Sequence, residues 1–197
     1  MAIGIKKSLH RSPLRLSLLA VLSAAAVSLE LLRIEFPFPL APFLKYDLVG
    51  VPLLLLALLS GRRDALLGAS ITAIAIFLAT GDPVGASMKW LAEVATFIPF
   101  ASIYGYGGKI RTAAASAVAV ASRVAVMDVA NIAVTPYWLM IFAHACSTYA
   151  QCLTSVEVLL PVISIFNASL ALIYIAITVP LYEYIARYLR SQLWELR

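Results

Sequence analysis

Apolar residues run along this chain in long blocks, and polar residues are confined to the short breaks between them. The first block, Leu16 to Leu32, follows Lys6, Lys7, Arg11 and Arg15 and closes near Glu30. A secretory leader would share this pattern as far as Ala24-Ala25-Ala26. A leader's apolar region is usually about 7–15 residues, and this block runs on past the alanines, so it reads as an uncleaved first span. Phe36-Pro37-Phe38-Pro39-Leu40-Ala41-Pro42-Phe43 comes next. Three prolines remove helix donors and clash with the preceding turn, which predicts a loop with aromatic anchors.

Four further breaks divide the rest. Val49 to Ser60 reads as a short second span ended by Gly61-Arg62-Arg63-Asp64, and Ala65 to Thr80 as a third ended by Gly81-Asp82-Pro83. The fourth runs from Val84 to Tyr104. After the glycine-rich turn Gly105-Tyr106-Gly107-Gly108-Lys109-Ile110-Arg111, a fifth span extends from Thr112 to Thr135 and is expected to stop at Pro136. His144 to Glu157 is expected to be the longest loop, and Val158 to Ala186 a sixth span long enough to tilt or project.

Composition agrees with this division. Of 197 residues, 62% are hydrophobic and 13% charged, against about 25% charged in an average soluble domain. With about 20 residues per crossing, residues 1–197 form one membrane-embedded, all-α bundle of six spans. The formal charge of +5 is then a topology signal. Alternating sides gathers Lys6, Lys7, Arg11, Arg15, Arg62, Arg63, Lys109, Arg111, Arg187, Arg190 and Arg197 on one face, while the other holds little beyond Arg33 and Lys45. By the positive-inside rule both termini are cytoplasmic, and a nucleic-acid partner is not indicated.

Charged side chains within spans cost about 2.5–3.5 kcal/mol each on insertion scales and mark candidate functional positions. They are Lys89 and Glu93 in the fourth span and Arg123 and Asp128 in the fifth. Positions 89, 93, 96 and 100 share one helical face. Asn131 joins Arg123 and Asp128 in pointing broadly into the bundle, and Ser164, Asn167, Tyr174 and Thr178 make a third, uncharged stripe. Two amides, a Lys/Glu pair and the aromatic loop converge at the outer mouth, where they would make a closed pocket for a polar, planar small molecule. The bland alternatives stand beside this: mutual neutralisation of Lys89 and Glu93, helix stapling by Arg123 and Asp128, and plain interhelical hydrogen bonds from Asn131 and Asn167. Asn167 opens a glycosylation sequon, but inside a span.

Catalytic and metal signatures are absent from the sequence. There is no zinc helix and no nucleophile elbow, His10 and His144 stand apart, and the turn before Lys109 lacks the first glycine of a phosphate loop, having Ile103 there. No cofactor is called for and the chain does not read as an enzyme. Cys146 and Cys152 fit either a small disulfide or two free thiols.

Taken in order, Ala20 and Ala24, Pro42-Phe43-Leu44-Lys45-Tyr46-Asp47 with Val51-Pro52, Asp82-Pro83-Val84-Gly85-Ala86 with Met88-Lys89, Asn131 with Pro136-Tyr137, and Phe166-Asn167 carry a resemblance. The chain resembles the substrate-binding S component of an energy-coupling-factor (ECF) vitamin transporter, closest to the riboflavin type. The resemblance implies high-affinity capture of a vitamin from outside, association with a transmembrane coupling subunit that carries two cytoplasmic ATPases, and docking of that subunit on the Ala20 and Ala24 face. It implies that Asn131 and Asn167 line the vitamin pocket and that Phe43 to Asp47 form its lid. One position departs: the riboflavin type has a lysine three residues after the sixth-span asparagine, and this chain has Leu170. Lys89 or Arg123 would supply the missing donor, or the ligand is a different vitamin-like compound.

The expected binding set is therefore Phe43, Lys45, Tyr46, Asp47, Lys89, Trp90, Glu93, Asn131 and Asn167, with Phe36, Phe38 and Tyr137 adding aromatic surface. Two other classes fit the same residues: a self-sufficient secondary transporter relaying protons through Glu93 and Asp128, and a non-transporting membrane scaffold packing through its small-residue faces.

Overall fold

The computed structural model describes residues 12–105 and 108–195; Lys6, Lys7, His10, Arg11, Tyr106, Gly107 and Arg197 lie outside them. Six helices and one hairpin follow in order: α1 (Ser12–Leu31), β1 (Phe36–Phe38), β2 (Ala41–Tyr46), α2 (Gly50–Leu59), α3 (Arg62–Thr80), α4 (Pro83–Ile103), α5 (Gly108–Ile141) and α6 (Tyr149–Glu195). Helices α1, α3, α5 and α6 are long and apolar enough to cross a membrane, which marks a multi-pass membrane protein.

The short second block behaves differently from its neighbours. It is apolar all round, and such a helix seeks burial on every side. Every residue of α2 except Leu58 is buried, and at about 15 Å it is half the thickness of a bilayer core. Helix α2 is thus the centre of the bundle, packing Leu53, Leu54 and Leu56 against Phe97, Phe100, Leu170, Tyr174 and Ile175.

Contacts between helix ends fix the relative directions. Arg15 at the start of α1 grips Asp64 at the start of α3 through two bonds of 2.6 and 2.5 Å. Leu55 and Leu59 at the end of α2 pack with Tyr182 and Ala186 late in α6, and Tyr104, after α4, meets Tyr182 edge-on. The opposite end of the bundle carries the hairpin, the end of α1 and the start of α4. There Asp82 caps α4, accepting from the Val84 and Gly85 amides at 2.9 and 3.0 Å, with Pro83 in the first turn.

Three expectations are corrected. The proline-rich loop is an antiparallel hairpin pairing Phe36 with Tyr46, Pro37 with Lys45 and Phe38 with Ala41. In a two-stranded ribbon both strands are edges, where proline's missing donor costs no ladder bond. Helix α5 does not stop at Pro136 but continues to Ile141, because packed membrane helices re-satisfy the backbone groups that a proline frees. Helix α6 starts at Tyr149, within the segment expected to be the longest loop. Its first turn is capped by Thr148, whose hydroxyl accepts from the Gln151 amide at 3.3 Å, and the Gln151 side chain accepts from the Ser147 amide at 3.3 Å. Cys146 and Cys152 are disulfide-bonded across this turn, Cα atoms 5.6 Å apart.

Candidate functional site

Three helical stripes face one another beneath the hairpin. Helix α5 contributes Arg123, Met127, Asn131 and Thr135 at successive i,i+4 positions, α6 contributes Ile163, Phe166, Asn167 and Leu170, and α4 contributes Val84, Met88, Lys89 and Ala92. With Phe43, Leu44, Lys45 and Asp47 of the hairpin segment and Trp138 at the end of the α5 stripe, they line an open cavity of about 450 Å³. That volume lies within the range of about 300–1,000 Å³ typical of small-molecule sites.

The hairpin is seated by its aromatic residues. Tyr46 stacks on Phe166 with centroids 5.3 Å apart and shares a 2.7 Å hydrogen bond with Ser169, while Phe38 packs edge-on against Tyr46 and tilted against Phe166. Lys45 pairs with Glu35 across the ribbon at 2.7 Å. Phe43 remains exposed at the mouth.

A charged network underlies the cavity. Asp47, just after β2, is bridged to Lys89; it accepts from the Tyr174 hydroxyl at 2.8 Å and from the Val49 amide at 2.9 Å. Burial opposes ionisation of this carboxyl, yet the Lys89 charge and the hydrogen bonds from Lys89, Val49 and Tyr174 outweigh it and hold Asp47 below the usual carboxylate range. Lys89 also lies 3.8 Å from Glu30 and 3.9 Å from Glu93. Glu93 accepts from Tyr174 at 3.1 Å and stands 3.6 Å from Arg123.

Arg123 closes the floor. It donates to Asn167 Oδ1 at 3.1 Å, Thr96 Oγ1 at 2.9 Å and the Ala92 carbonyl at 3.3 Å, and its guanidinium lies 5.3 Å above the Tyr174 ring centroid. The network closes only because residue 50 is glycine: a Cβ there would overlap the Tyr174 ring and the Glu93 carboxylate.

Of the expected binding residues, Phe43, Lys45, Asp47, Lys89, Asn131 and Asn167 border the cavity, and three stand elsewhere. Tyr46 anchors the hairpin. Trp90 turns to α3, donating to Ser70 at 3.2 Å. Glu93 lies beneath the floor, 2% exposed. Tyr137 packs at a tilt against Tyr149 near the disulfide, ring centroids 4.8 Å apart, and Phe36 is exposed. Asp128, expected to point inward, accepts from Ser164 at 2.8 Å and borders a separate groove between α5 and α6. Sequence reasoning did not assign Met88, Met127, Thr135 and Trp138 to the wall. The i,i+4 continuation of Arg123 and Asn131 carried that signal for Met127 and Thr135. Ala20 and Ala24 are exposed on α1, whereas Ser23 and Ala26 face inward. Among the described residues, no group of three or more His, Cys, Asp or Glu is arranged to hold a metal ion.

No family model matches the chain, and no curated protein matches it significantly. Among solved structures it is similar to the S component of a bacterial ECF transporter, with a TM-score of 0.71 at 23% identity over 91% of this chain and 99% of that one. The two proteins share a fold. The S component and this chain correspond over nearly their whole lengths.

Proposed function

We propose that this protein is the membrane-embedded capture subunit of an ECF-type transporter, binding a vitamin-like small molecule, riboflavin or a related compound, from the outer side. The observation that carries this reading is the cavity itself: a site of ligand size, walled by three helices and roofed by a hairpin whose aromatic residues seat it on α6. Apolar walls from Phe43, Met88, Met127, Phe166 and Trp138 suit a flat ring. The amides of Asn131 and Asn167 and the charges of Lys89 and Arg123 suit its polar edge.

In this reading the six helices form the membrane bundle, with α2 as its inner core. The hairpin end faces outward and the Arg62, Arg63, Lys109 and Arg111 end faces the cytoplasm, as the positive-inside rule requires. Leu170 borders the cavity where the riboflavin type has lysine, and Arg123 from across the floor serves as the substituted donor. The exposed Ala20 and Ala24 face of α1 is the surface for a transmembrane coupling subunit, which brings two cytoplasmic ATPases.

The test is reconstitution. Vesicles containing the chain with a coupling subunit and ATPases should accumulate the compound that the chain binds, only when ATP is supplied, and bulky substitutions at Ala20 and Ala24 should abolish accumulation without loss of binding. Accumulation in ATPase-free vesicles driven by a pH gradient would instead establish a self-sufficient transporter.

A further inference from the structure

We infer that the basic end of the bundle holds an anionic phospholipid, its phosphodiester seated on Lys109 and Arg187 and one acyl chain lying in the groove between α5 and α6. The inference is independent of the capture reading, since this end lies opposite the hairpin and its cavity. Two observations carry it together: a charged cleft where the apolar stretch of α5 begins, and an apolar groove continuous with that cleft.

The cleft has a volume of about 650 Å³ and is bordered by Tyr104 and Gly105 after α4, Lys109 and Thr112 of α5, and Glu183 and Arg187 of α6. Arg111 adds a third cation at the rim, since its Nη1 lies 3.3 Å from where a side chain on Gly105 would begin. Against these stands one carboxylate, Glu183, which accepts from the Tyr104 hydroxyl at 3.5 Å and from Arg187 at 3.4 Å. Arg187 is 80% exposed, and an exposed pair of this kind holds its partners weakly. Three cations around one carboxylate leave an excess of positive charge. The Thr112 and Ser116 hydroxyls donate to carbonyls of their own helix, at 3.4 and 2.8 Å, so recognition of an anion falls to the cations. A basic pocket between the ends of membrane helices suits a lipid phosphate.

Ala113 and Ser116 border this cleft and also a groove of about 760 Å³ that continues from it along α5 and α6. Ala113, Ala117, Ala121 and Ala125, exposed at i,i+4 spacing, line the groove with Val124 and Leu172. From Ala113 to Ala125 the helix rises about 18 Å, close to the hydrocarbon depth of one leaflet, about 15 Å. Asp128, which accepts from Ser164 at 2.9 Å, stands past that depth at the inner end of the groove. A soluble phosphate would use the cleft alone. A cationic cleft opening into an apolar furrow of leaflet length matches a molecule with an anionic head and a hydrocarbon tail.

The experiment is native mass spectrometry of the purified full chain in detergent, titrated with phosphatidylglycerol and, separately, with phosphatidylcholine of the same acyl chains. The wild type should hold phosphatidylglycerol at least about fivefold more tightly than phosphatidylcholine, and glycerol phosphate in large excess should not displace it. Lys109→Gln with Arg187→Gln should weaken phosphatidylglycerol by about tenfold and leave phosphatidylcholine unchanged. Arg62→Gln with Arg63→Gln removes as much charge from the same end without touching the cleft, and should change neither. Ala121→Phe, which fills the groove, should weaken phosphatidylglycerol several-fold. Equal affinity of the wild type for the two lipids, or displacement by glycerol phosphate, overturns the inference without reference to any variant. Equal weakening by the two double variants assigns the effect to diffuse surface charge and overturns it too, as does an unchanged affinity in Ala121→Phe. A dimer of the chain that Ala121→Phe dissociates would give the groove to a second copy, again against the inference.

Discussion

Lys89 on α4 is bridged to Asp47, the residue that joins the hairpin to α2, so one ion pair ties the roof of the cavity to its wall. The pair is mostly buried, with side-chain exposures of 18% and 10%. Removing one partner of such a pair strands the other. Lys89→Met or Asp47→Asn should each lower stability by about 3 kcal/mol, the low end for a buried pair, and loosen the hairpin. The double variant should lose much less than the sum of the two, as read by a double-mutant cycle on thermal unfolding.

The same pair sets a pH window. Asp47 is held below the usual carboxylate range by Lys89 and its hydrogen bonds, in spite of its burial. Its contribution to stability is therefore complete above the unfolded-state pKa of about 3.9 and is lost as pH falls through the lower folded-state value. Stability attributable to Asp47 should be flat from pH 5 to pH 8 and decline below about pH 4, and Asp47→Asn should erase that acid-side decline.

Gly50 lies where α2 enters the network. A methyl group there would overlap Tyr174 and Glu93, so Gly50→Ala should cost about 1–3 kcal/mol and reduce ligand affinity by displacing Tyr174 from Asp47. Thermal unfolding and a ligand titration on the same sample check both effects.

Ser23 provides the opposite case. Its hydroxyl is buried with no hydrogen-bond partner among the described residues, so Ser23→Ala removes an unpaid desolvation cost and should raise stability by about 1 kcal/mol, with ligand binding unchanged.

The Cys146–Cys152 bond closes a small loop at the start of α6. Replacing both cysteines by serine should lower stability by about 2 kcal/mol on the loop-entropy scale, and the wild type should show no thiol reactive to alkylation until it is reduced.

Apolar block length made the helices legible in the sequence, and i,i+4 spacing brought Lys89, Asn131 and Asn167 to a common region. Periodicity does not say which way a side chain leans between neighbours, and that is why Trp90 was expected at the cavity and Asp128 inside the bundle. Trp90 found Ser70 on α3 and Asp128 found Ser164 on α6, contacts set by tertiary packing. The hairpin was hidden because its prolines argue against a central strand and say nothing about a two-stranded ribbon. The early start of α6 was readable in Thr148-Tyr149-Ala150-Gln151, a capping-box sequence lying in a stretch that polarity alone marked as loop.

The chain's role as a capture protein is tested most directly by native mass spectrometry of the purified, detergent-solubilised wild type, before and after incubation with flavins and related vitamin-like compounds. One small molecule held non-covalently per chain, lost when Asn131, Asn167 and Arg123 are replaced, is the expected result. A wild-type spectrum showing only the bare polypeptide mass under every condition would contradict it.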